Sequence, residues 1–395
     1  MSDEFYRIKR MPPYVIAEVN AMRHAARQAG RDIIDLGMGN PDQPPPQHVI
    51  DKLCEVAAKP SAHGYSQSKG IPGLRRAQAN YYQRRFGVEL NPETEVVVTM
   101  GSKEGLSSMA TAISAPGDVI LAPSPAYPIH TYGFIIAGAT IRSVPTTPDE
   151  YYWKALDNAM AYTVPRPTVL VVNYPSNPTA ETVDLEFYER LVEWAKENRV
   201  WVLSDLAYSE LYYDGKPTRS ILEVPGAKDV AVEFTSMSKT YSMAGWRMGF
   251  CVGNTQLVAA LTRVKSYLDY GAFTPIQAAA CAALNGPQDV VEQNRLRYQQ
   301  RRDVMVESFA RAGWEIPSPP ASMFTWAKLP PGFEDMGSLE FSKQLLQHAE
   351  VAVAAGVGFG EEGEGYVRIA MVENEQRIRQ AARNIKRFLA EHARK

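Results

Sequence analysis

Short apolar runs alternate with segments of helical periodicity along most of the middle of the chain. Most of these runs are rich in β-branched residues, which favour strands. The strand candidates are residues 95–100, 118–122, 140–144, 168–172, 200–204, 230–235 and 249–253. Helices fit between them, as over 185–198 with Asp184 as its N-cap. This alternation predicts an α/β protein whose central sheet is mainly parallel and is covered by helices on both faces.

The pattern changes after about Gly286. It predicts a long charged helix over 290–312, two short strands near 323–327 and 366–371, and a terminal helix from about Glu375. We expect this part to form a second, smaller α+β domain. Because no repeat, low-complexity tract or long Gly/Ser linker interrupts the chain, we expect the domain boundary to lie inside a helix and not at a flexible tether.

Composition and charge narrow the classes of function. The chain has 395 residues, 45% of them hydrophobic and 22% charged, which is typical of a soluble globular protein. Lys and Arg total 42 against 44 for Asp and Glu, so no excess of positive charge indicates nucleic acid or an anionic membrane as a partner. The start of the chain lacks the apolar core of a signal peptide, and no apolar run is long enough to span a bilayer. We therefore expect a cytoplasmic protein that acts on a small molecule.

The cysteines indicate neither a disulfide framework nor a metal site. Cys54, Cys251 and Cys281 are too few and too far apart for either. We expect all three to be small core residues.

The stretch TSMSKTYSMAGWRMG at 235–249 is the most informative for chemistry. Lys239 lies among small hydroxyl residues, with Arg247 eight positions later. The hydroxyls of Ser236 and Ser238 and the guanidinium of Arg247 are suited to bind a phosphate, while the lysine amine can approach an aldehyde. A short S-x-S-K string also occurs by chance in surface loops, so other residues have to support this interpretation.

Polar residues follow two of the predicted strands directly. Asp205 comes after VWVLS, and Asn177 in NYPSNPTA comes after TVLVV, so both are expected at the carboxyl edge of the sheet, where open α/β sheets bind ligands. A carboxylate there suits a protonated pyridine nitrogen, although an aspartate in this position can also be a helix N-cap. An Asn-Pro pair is often only a turn, and Tyr208, three residues after Asp205, can also be a packing residue.

Three further features each have a structural as well as a functional interpretation. Gly101, Ser102 and Lys103 join a strand to a helix, an arrangement that binds anions but is also a common helix N-cap. Tyr127 follows another strand and can stack on a flat ring or pack in the core. Arg368 lies in an apolar strand, where it requires an anion such as a substrate carboxylate or a structural salt-bridge partner. Neither a G-x-G-x-x-G nor a P-loop motif occurs at the expected place, which argues against a dehydrogenase or an NTPase.

Taken together, the ordered motifs of the chain resemble those of the class I/II aminotransferases of fold type I. The motifs are GMGNPD at 37–42, GYSQSKGIPGLR at 64–75, GSKEGL, SPAYP, NYPSNPTA, SDLAYSEL, SMSKTYSMAGWRMGF and YVRIA. They span nearly the whole chain. The resemblance implies a pyridoxal 5′-phosphate (PLP) enzyme with a large PLP-binding domain at 45–286 and a small domain made of 1–44 and 287–395.

The resemblance also implies roles for individual residues. Lys239 would be the Schiff-base lysine and the proton shuttle, and Asp205 would pair with the pyridinium nitrogen. The phenolic oxygen would contact Asn177 and Tyr208, and Tyr127 would stack on the ring. The phosphate would be bound by Gly101, Ser102, Lys103, Ser236, Ser238 and Arg247, and by Tyr65 from the partner subunit of a homodimer. The substrate's α-carboxylate would be received by Arg368, Gly39 and Asn177, with Tyr14, Tyr127 and the partner's Tyr270 nearby.

Within this family, the segments PPYV, HGYS, GSKEG, YPIHTYG and KSYLDYGAFTP are most similar to the bacterial glutamate-pyruvate (alanine) aminotransferases and to the LL-diaminopimelate aminotransferases. This similarity implies transamination between L-alanine and 2-oxoglutarate. LL-diaminopimelate or aspartate transamination stays open, although the additional arginine of the aspartate branch is not identified. A PLP-dependent C-S β-lyase and a PLP-fold protein without turnover are further alternatives.

Overall fold

The computed structural model describes residues 5–12 and 15–392. The helices are α1 (Tyr6–Lys9), α2 (Val15–Gln28), α3 (Gln47–Ala57), α4 (Pro72–Phe86), α5 (Ser102–Ile113), α6 (Ile129–Ala137), α7 (Glu150–Tyr162), α8 (Leu185–Asn198), α9 (Met237–Thr240), α10 (Thr255–Leu268), α11 (Thr274–Asn285), α12 (Asp289–Ala312), α13 (Ser338–Gln344) and α14 (Glu375–His392). The strands are β1 (Ile34–Asp35), β2 (Val96–Thr99), β3 (Val119–Ser124), β4 (Thr140–Pro145), β5 (Val169–Asn173), β6 (Trp201–Asp205), β7 (Ala231–Ser236), β8 (Gly249–Gly253), β9 (Phe324–Lys328), β10 (Val351–Ala352), β11 (Ala354–Ala355) and β12 (Tyr366–Ala370).

The large sheet of the described residues has seven strands in the order β2-β8-β7-β6-β5-β3-β4. Strands β7, β6, β5, β3 and β4 are parallel to one another, whereas β8 is antiparallel to both β2 and β7. The predicted α/β fold with a mainly parallel sheet is thus confirmed, with β8 as the exception. The connection from β7 to β8 contains the four-residue helix α9 and a 3₁₀ turn at Ala244–Trp246, and neither is long enough to be a crossover helix. This short connection carries Lys239.

Both faces of the large sheet are buried, because successive side chains of a strand point to opposite faces. In β5, Leu170 and Val172 belong to one hydrophobic cluster, and Val169 and Val171 belong to another. Helices α4, α7, α8 and α11 contribute to the first cluster, and α5, α6 and α10 contribute to the second. The helices therefore hold the sheet between two layers and leave its carboxyl edge accessible.

A smaller antiparallel sheet in the order β11-β12-β9 packs with α12, α13 and α14 around a third cluster of buried residues. The N-terminal segment joins this part of the molecule, since β1 pairs with β10 in parallel, with Ile34 opposite Val351. The division of the chain into domains at residues 45 and 286 stays a prediction. The small sheet matters for function because Arg368 lies in β12.

The predicted elements agree with the observed ones to within one or two residues at most boundaries. Helix α8 has the predicted bounds, and the Asp184 Oδ1 caps it by accepting a hydrogen bond from the Phe187 N–H at 2.9 Å. The prediction for the cysteines was wrong in part. Cys251 is buried and Cys281 is half-buried, but Cys54 is exposed because it lies on the outward face of α3.

Within residues 5–12 and 15–392, no helix has both the length and the apolar character that crossing a membrane requires. The same residues contain no group of three or more His, Cys, Asp or Glu side chains placed to bind a metal ion.

Glu233 makes the stability of the fold dependent on pH. It is fully buried in β7, and its carboxylate accepts hydrogen bonds from the hydroxyls of Ser220, Tyr82 and Ser204 at 2.6, 2.8 and 3.0 Å. Burial nevertheless raises its pKa from 4.5 to about 7. The folded protein therefore holds an additional proton between these two pH values, and its stability falls as the pH rises through this window.

We expect Glu233→Gln to remove this dependence, because the amide does not titrate. The difference in the free energy of unfolding, variant minus wild type, should increase by about 3 kcal/mol from pH 4.5 to pH 7.5. Urea denaturation of both proteins across this range measures the difference. A difference that is independent of pH would contradict the assignment of the titration to Glu233.

Candidate active site

A cavity of about 450 Å³ lies between the carboxyl edge of the large sheet and the small sheet. Asn173, Asp205 and Ser236 line it from the ends of β5, β6 and β7, and Phe324 and Arg368 line it from β9 and β12. The carboxyl edge is the expected ligand site of an open α/β sheet, and the volume suits a small molecule.

Most of the predicted site residues line this cavity. They are Gly39, Ser102, Lys103, Tyr127, Asn177, Asp205, Tyr208, Ser236, Ser238, Lys239, Arg247 and Arg368. Gly101 lies directly behind it, in contact with Arg247. The predicted residues Tyr65 and Tyr270 are 88% and 63% exposed and do not line it. Tyr14 lies outside the described residues.

The amine of Lys239 lies in a positively charged environment at the cavity. Its Nζ donates a hydrogen bond to the carbonyl oxygen of Gly39. Burial lowers the pKa of Lys239 from 10.5 to about 7, and the nearby charges of Arg368 and Arg247 contribute to this decrease. A substantial fraction of the amine is therefore neutral near pH 7, which suits it to act as a nucleophile and as a base.

Asp205 is a buried carboxylate with one oxygen committed to a protein partner. Its Oδ2 lies 2.9 Å from the Nε2 of His130, a buried residue in the first turn of α6. Its Oδ1 is buried and accepts no hydrogen bond from the described residues. The alternative of a helix N-cap does not apply, because β6 continues into a turn and the residues after Asp205 do not form a helix. Asp205 can therefore accept a hydrogen bond from a ligand.

The turn before α5 and the side chain of Arg247 together form what we call the phosphate cradle, made of residues 100–103, Ser236, Ser238 and Arg247. Gly101 has φ +83°, and a Cβ at this position would lie 2.3 Å from the Arg247 Nη2. Only glycine allows both this backbone conformation and the close approach of the guanidinium. Arg247 also donates to the carbonyl oxygens of Ala244 at 2.9 Å and Met100 at 3.4 Å.

The other members of the phosphate cradle come from the end of β7 and the start of α5. The hydroxyl of Ser236 caps α9 by accepting a hydrogen bond from the Ser238 N–H at 3.2 Å. Ser102 and Lys103 begin α5, so this helix directs its positive dipole end towards the cavity. The Nζ of Lys103 lies 5.6 Å from the centre of the Tyr127 ring. The cradle thus combines a helix start, hydroxyl groups and cations, a combination that binds phosphate.

Arg368 brings the small sheet into the site. It is buried, and its Nη1 donates to the Asn177 Oδ1 at 2.8 Å while its Nη2 donates to the Gly37 carbonyl oxygen at 3.0 Å. The guanidinium lies 4.0 Å from the centre of the Phe324 ring. Gly39 is close by, and a Cβ there would lie 2.4 Å from the same ring. The arrangement presents a guanidinium and backbone groups to a carboxylate.

The structure buries one predicted tyrosine, Tyr208, and leaves two others, Tyr65 and Tyr270, on the surface. Tyr208 is buried beside Phe324 in a turn after β6, and burial raises its pKa. Tyr65 and Tyr270 contact one another on the surface, with ring centres 4.6 Å apart. Residues that contribute to the site of a partner subunit must be exposed in the single chain, as these two are. Their contribution to a partner subunit stays a prediction.

The sequence interpretation missed several residues at the cavity. His130 pairs with Asp205, and the side chain of Asn173 donates to the Asp205 carbonyl oxygen at 2.7 Å and accepts from the Asn177 N–H at 2.8 Å. Arg23 and Asp35 form an ion pair that also lines the cavity. Asn173 had a usable signal, because it directly follows the predicted strand 168–172, whereas His130 had none.

Residues 31–385 of the chain match the protein family "Aminotransferase class I and II". The protein belongs to the class I and II aminotransferases. AatC of Rhizobium meliloti is 63% identical over 98% of this aminotransferase and 96% of its own length. The glutamate-pyruvate aminotransferase AlaC of Escherichia coli is 52% identical, covering 97% of this chain and 93% of AlaC. An LL-diaminopimelate aminotransferase of Moorella thermoacetica is 41% identical and covers 98% of both chains.

Solved structures agree with this assignment of the fold. The substrate-bound structure of BacF from Bacillus subtilis has a TM-score of 0.91 and is 34% identical, covering 98% of each chain. The family resemblance inferred from the motifs is therefore confirmed, together with the fold class and with PLP as the cofactor.

The groups at the cavity fit the parts of PLP. The buried Oδ1 of Asp205, which has no hydrogen-bond partner among the described residues, can accept a hydrogen bond from a pyridinium N–H. The phosphate cradle offers a helix start, hydroxyls and Arg247 to the phosphate, and Lys239 places an amine of lowered pKa at the same cavity for the aldehyde. The cofactor is thus matched at three chemically different points.

Proposed function

We propose that this aminotransferase transfers the amino group between L-alanine and 2-oxoglutarate, giving pyruvate and L-glutamate. The observation that carries this proposal is the 52% identity to a glutamate-pyruvate aminotransferase across 97% of the chain. The cavity supports it in one respect, because Arg368 offers a guanidinium to the carboxylate of an amino acid.

Within this proposal, each cavity residue has a role towards the cofactor. When bound, PLP supplies an electron-accepting ring that stabilises the negative charge left on Cα. Asp205 would bind the pyridinium nitrogen, with His130 orienting the carboxylate. Asn177 and Tyr208 would contact the phenolic oxygen, Tyr127 would stack on the ring, and the phosphate cradle would bind the phosphate. Apart from that of His130, these roles are those implied by the motif positions, and the placement of the residues around one cavity supports them.

Towards the substrate, Arg368 binds the α-carboxylate, with Gly39 and Asn177 beside it. This contact orients the substrate so that the Cα–H bond faces Lys239. The amine of Lys239 removes the proton and later returns it, and its pKa of about 7 keeps both protonation states accessible near neutral pH. The partner subunit's Tyr270 would lie near the substrate's side chain.

We further propose that the active unit is a homodimer with shared sites. Tyr65 and Tyr270 form an exposed aromatic pair, and Tyr267 and Leu268, at the end of α10, are 87% and 65% exposed. A cluster of exposed aromatic and aliphatic side chains is typical of a surface that contacts another subunit. In this arrangement, Tyr65 and Tyr270 of one subunit would lie at the cavity of the other subunit.

LL-diaminopimelate is a second candidate substrate, favoured by the 41% identity to the Moorella thermoacetica enzyme. Spectroscopy separates the two candidates. We expect the visible band of the PLP-loaded enzyme to disappear with L-alanine or L-glutamate and to return with pyruvate or 2-oxoglutarate. The same titration with LL-diaminopimelate and L-aspartate should leave the band nearly unchanged. A response to diaminopimelate and glutamate but not to alanine would contradict the alanine assignment and support the second candidate.

A further inference from the structure

Lys265 is a fully buried lysine in α10, outside the cavity. Its Nζ lies 3.3 and 3.4 Å from the two carboxylate oxygens of Glu104 and 2.8 Å from the Oδ2 of Asp269. A single buried cation thus holds two carboxylates. Removing one partner from a buried ion pair leaves an uncompensated charge, so each of these contacts depends on Lys265.

Glu104 connects Lys265 to the phosphate cradle. It lies in the first turn of α5, immediately after Ser102 and Lys103, which line the cavity. Its Oε2 accepts a hydrogen bond from the Met100 N–H at 2.8 Å and so holds the turn that contains Gly101. A carboxylate this close to a bound phosphate would repel it unless a cation balances the charge. Lys265 supplies this balance.

Asp269 connects Lys265 to the exposed tyrosine pair. The Asp269 Oδ1 accepts a hydrogen bond from the Gly271 N–H at 2.6 Å, and its carbonyl oxygen accepts one from the Ser68 hydroxyl. These bonds join the segment of Tyr270 to the segment of Tyr65, whose rings are in contact. The position of the pair is therefore linked through Lys265 to the cradle of the same chain.

We propose that Lys265 is a positioning residue for cofactor binding. It neutralises Glu104, so that this carboxylate holds the turn of the phosphate cradle without repelling the phosphate. Through Asp269 it also sets the position of Tyr65 and Tyr270. The role of Lys265 through Asp269 rests on the proposed homodimer, in which these tyrosines complete the partner's site. The role of Lys265 in neutralising Glu104 does not depend on the homodimer.

The test is the dissociation constant of PLP, measured by absorbance titration of the cofactor-depleted protein. We expect Lys265→Met to raise this constant by about tenfold or more, because Glu104 is then an unbalanced carboxylate beside the phosphate. Arg302→Met is the matched control. Arg302 is also buried and paired with two carboxylates, those of Asp214 and Asp303, but it lies away from the cavity. This control should lower the melting temperature without changing the PLP constant.

A second variant separates the electrostatic role from a general loss of stability. In the double variant Glu104→Gln/Lys265→Met, the amide can still accept the bond from Met100 but carries no charge. At a protein concentration high enough for the variants to associate as the wild type does, we expect PLP affinity to recover to within about threefold of the wild type, since the repulsion is gone. The proposal is overturned if the double variant binds PLP as weakly as Lys265→Met, or if Lys265→Met binds PLP as tightly as Arg302→Met.

Sedimentation of the same proteins tests the part that involves Asp269. We expect both variants that lack Lys265 to dissociate into monomers at higher concentration than the wild type and Arg302→Met, and equal dissociation of all four would overturn this part. The substrate assignment is measured separately, by the response of the wild-type band to L-alanine. A wild type that binds PLP but does not respond to alanine would contradict the proposed function while leaving the role of Lys265 supported.

Discussion

Replacing Lys239 by alanine is expected to lower the rate of amino-group transfer by at least about 1,000-fold. The variant loses both the amine that attaches the cofactor and the base that moves the Cα proton, and proton transfer by a positioned side chain alone contributes about 100- to 10,000-fold. The loss should appear in single-turnover reactions of the PLP-loaded variant with L-alanine. We expect the protein to stay folded, because Lys239 lines the cavity and belongs to none of the hydrophobic clusters of the described residues.

Lys228→Ala is the matched control for this experiment. Lys228 pairs with Glu95 and does not line the cavity, so its loss should leave the rate within about twofold of the wild type. Measuring the melting temperatures of both variants distinguishes a loss of activity from unfolding of the protein. A Lys239→Ala variant that holds PLP and reacts at the wild-type rate would contradict the role of Lys239.

Replacing Asp205 by asparagine is expected to lower kcat by about 100- to 1,000-fold, the usual effect of removing one group that stabilises the transition-state charge. Asparagine has nearly the same shape and can keep the contact with His130, but it provides no negative charge for a pyridinium nitrogen. The ring then accepts electrons less well. Steady-state assays with L-alanine and with L-glutamate should show the same loss, because the effect concerns the cofactor and not the side chain of the substrate.

Asp303→Asn provides the comparison for Asp205→Asn. Asp303 lies in α12, pairs with Arg302 and is largely exposed, so this variant should keep nearly full activity. If Asp205→Asn kept wild-type kcat at full PLP occupancy, the assignment of Asp205 to the pyridinium nitrogen would be wrong. A loss for only one of the two amino acids would place Asp205 at the substrate instead.

Part of the candidate site could be predicted because chemistry and strand ends coincide in the sequence. Asn177 and Asp205 each follow an apolar run, and parallel strands end at the same edge, so their convergence followed from local pattern and sheet rules. The role of His130 could not be predicted in this way. Nothing in its neighbourhood indicates that it faces Asp205, 75 positions later in the chain.

The direction of β8 likewise could not be predicted from the local sequence. Its apolar run predicted a strand with the observed bounds, but its antiparallel direction depends on how the segment with Lys239 returns to the sheet. A strand's own residues do not specify the direction of its neighbours.

The sequence by itself determined the alternation of strands and helices and the presence of a lysine, a carboxylate and an arginine of the right kinds, because periodicity and residue type are local properties. Only the tertiary structure decided which distant residues meet. Arg368 reaches Asn177 across 191 positions, and Lys265 reaches Glu104 across 161. Such contacts depend on the tertiary placement of β12 and α10, which no local pattern encodes.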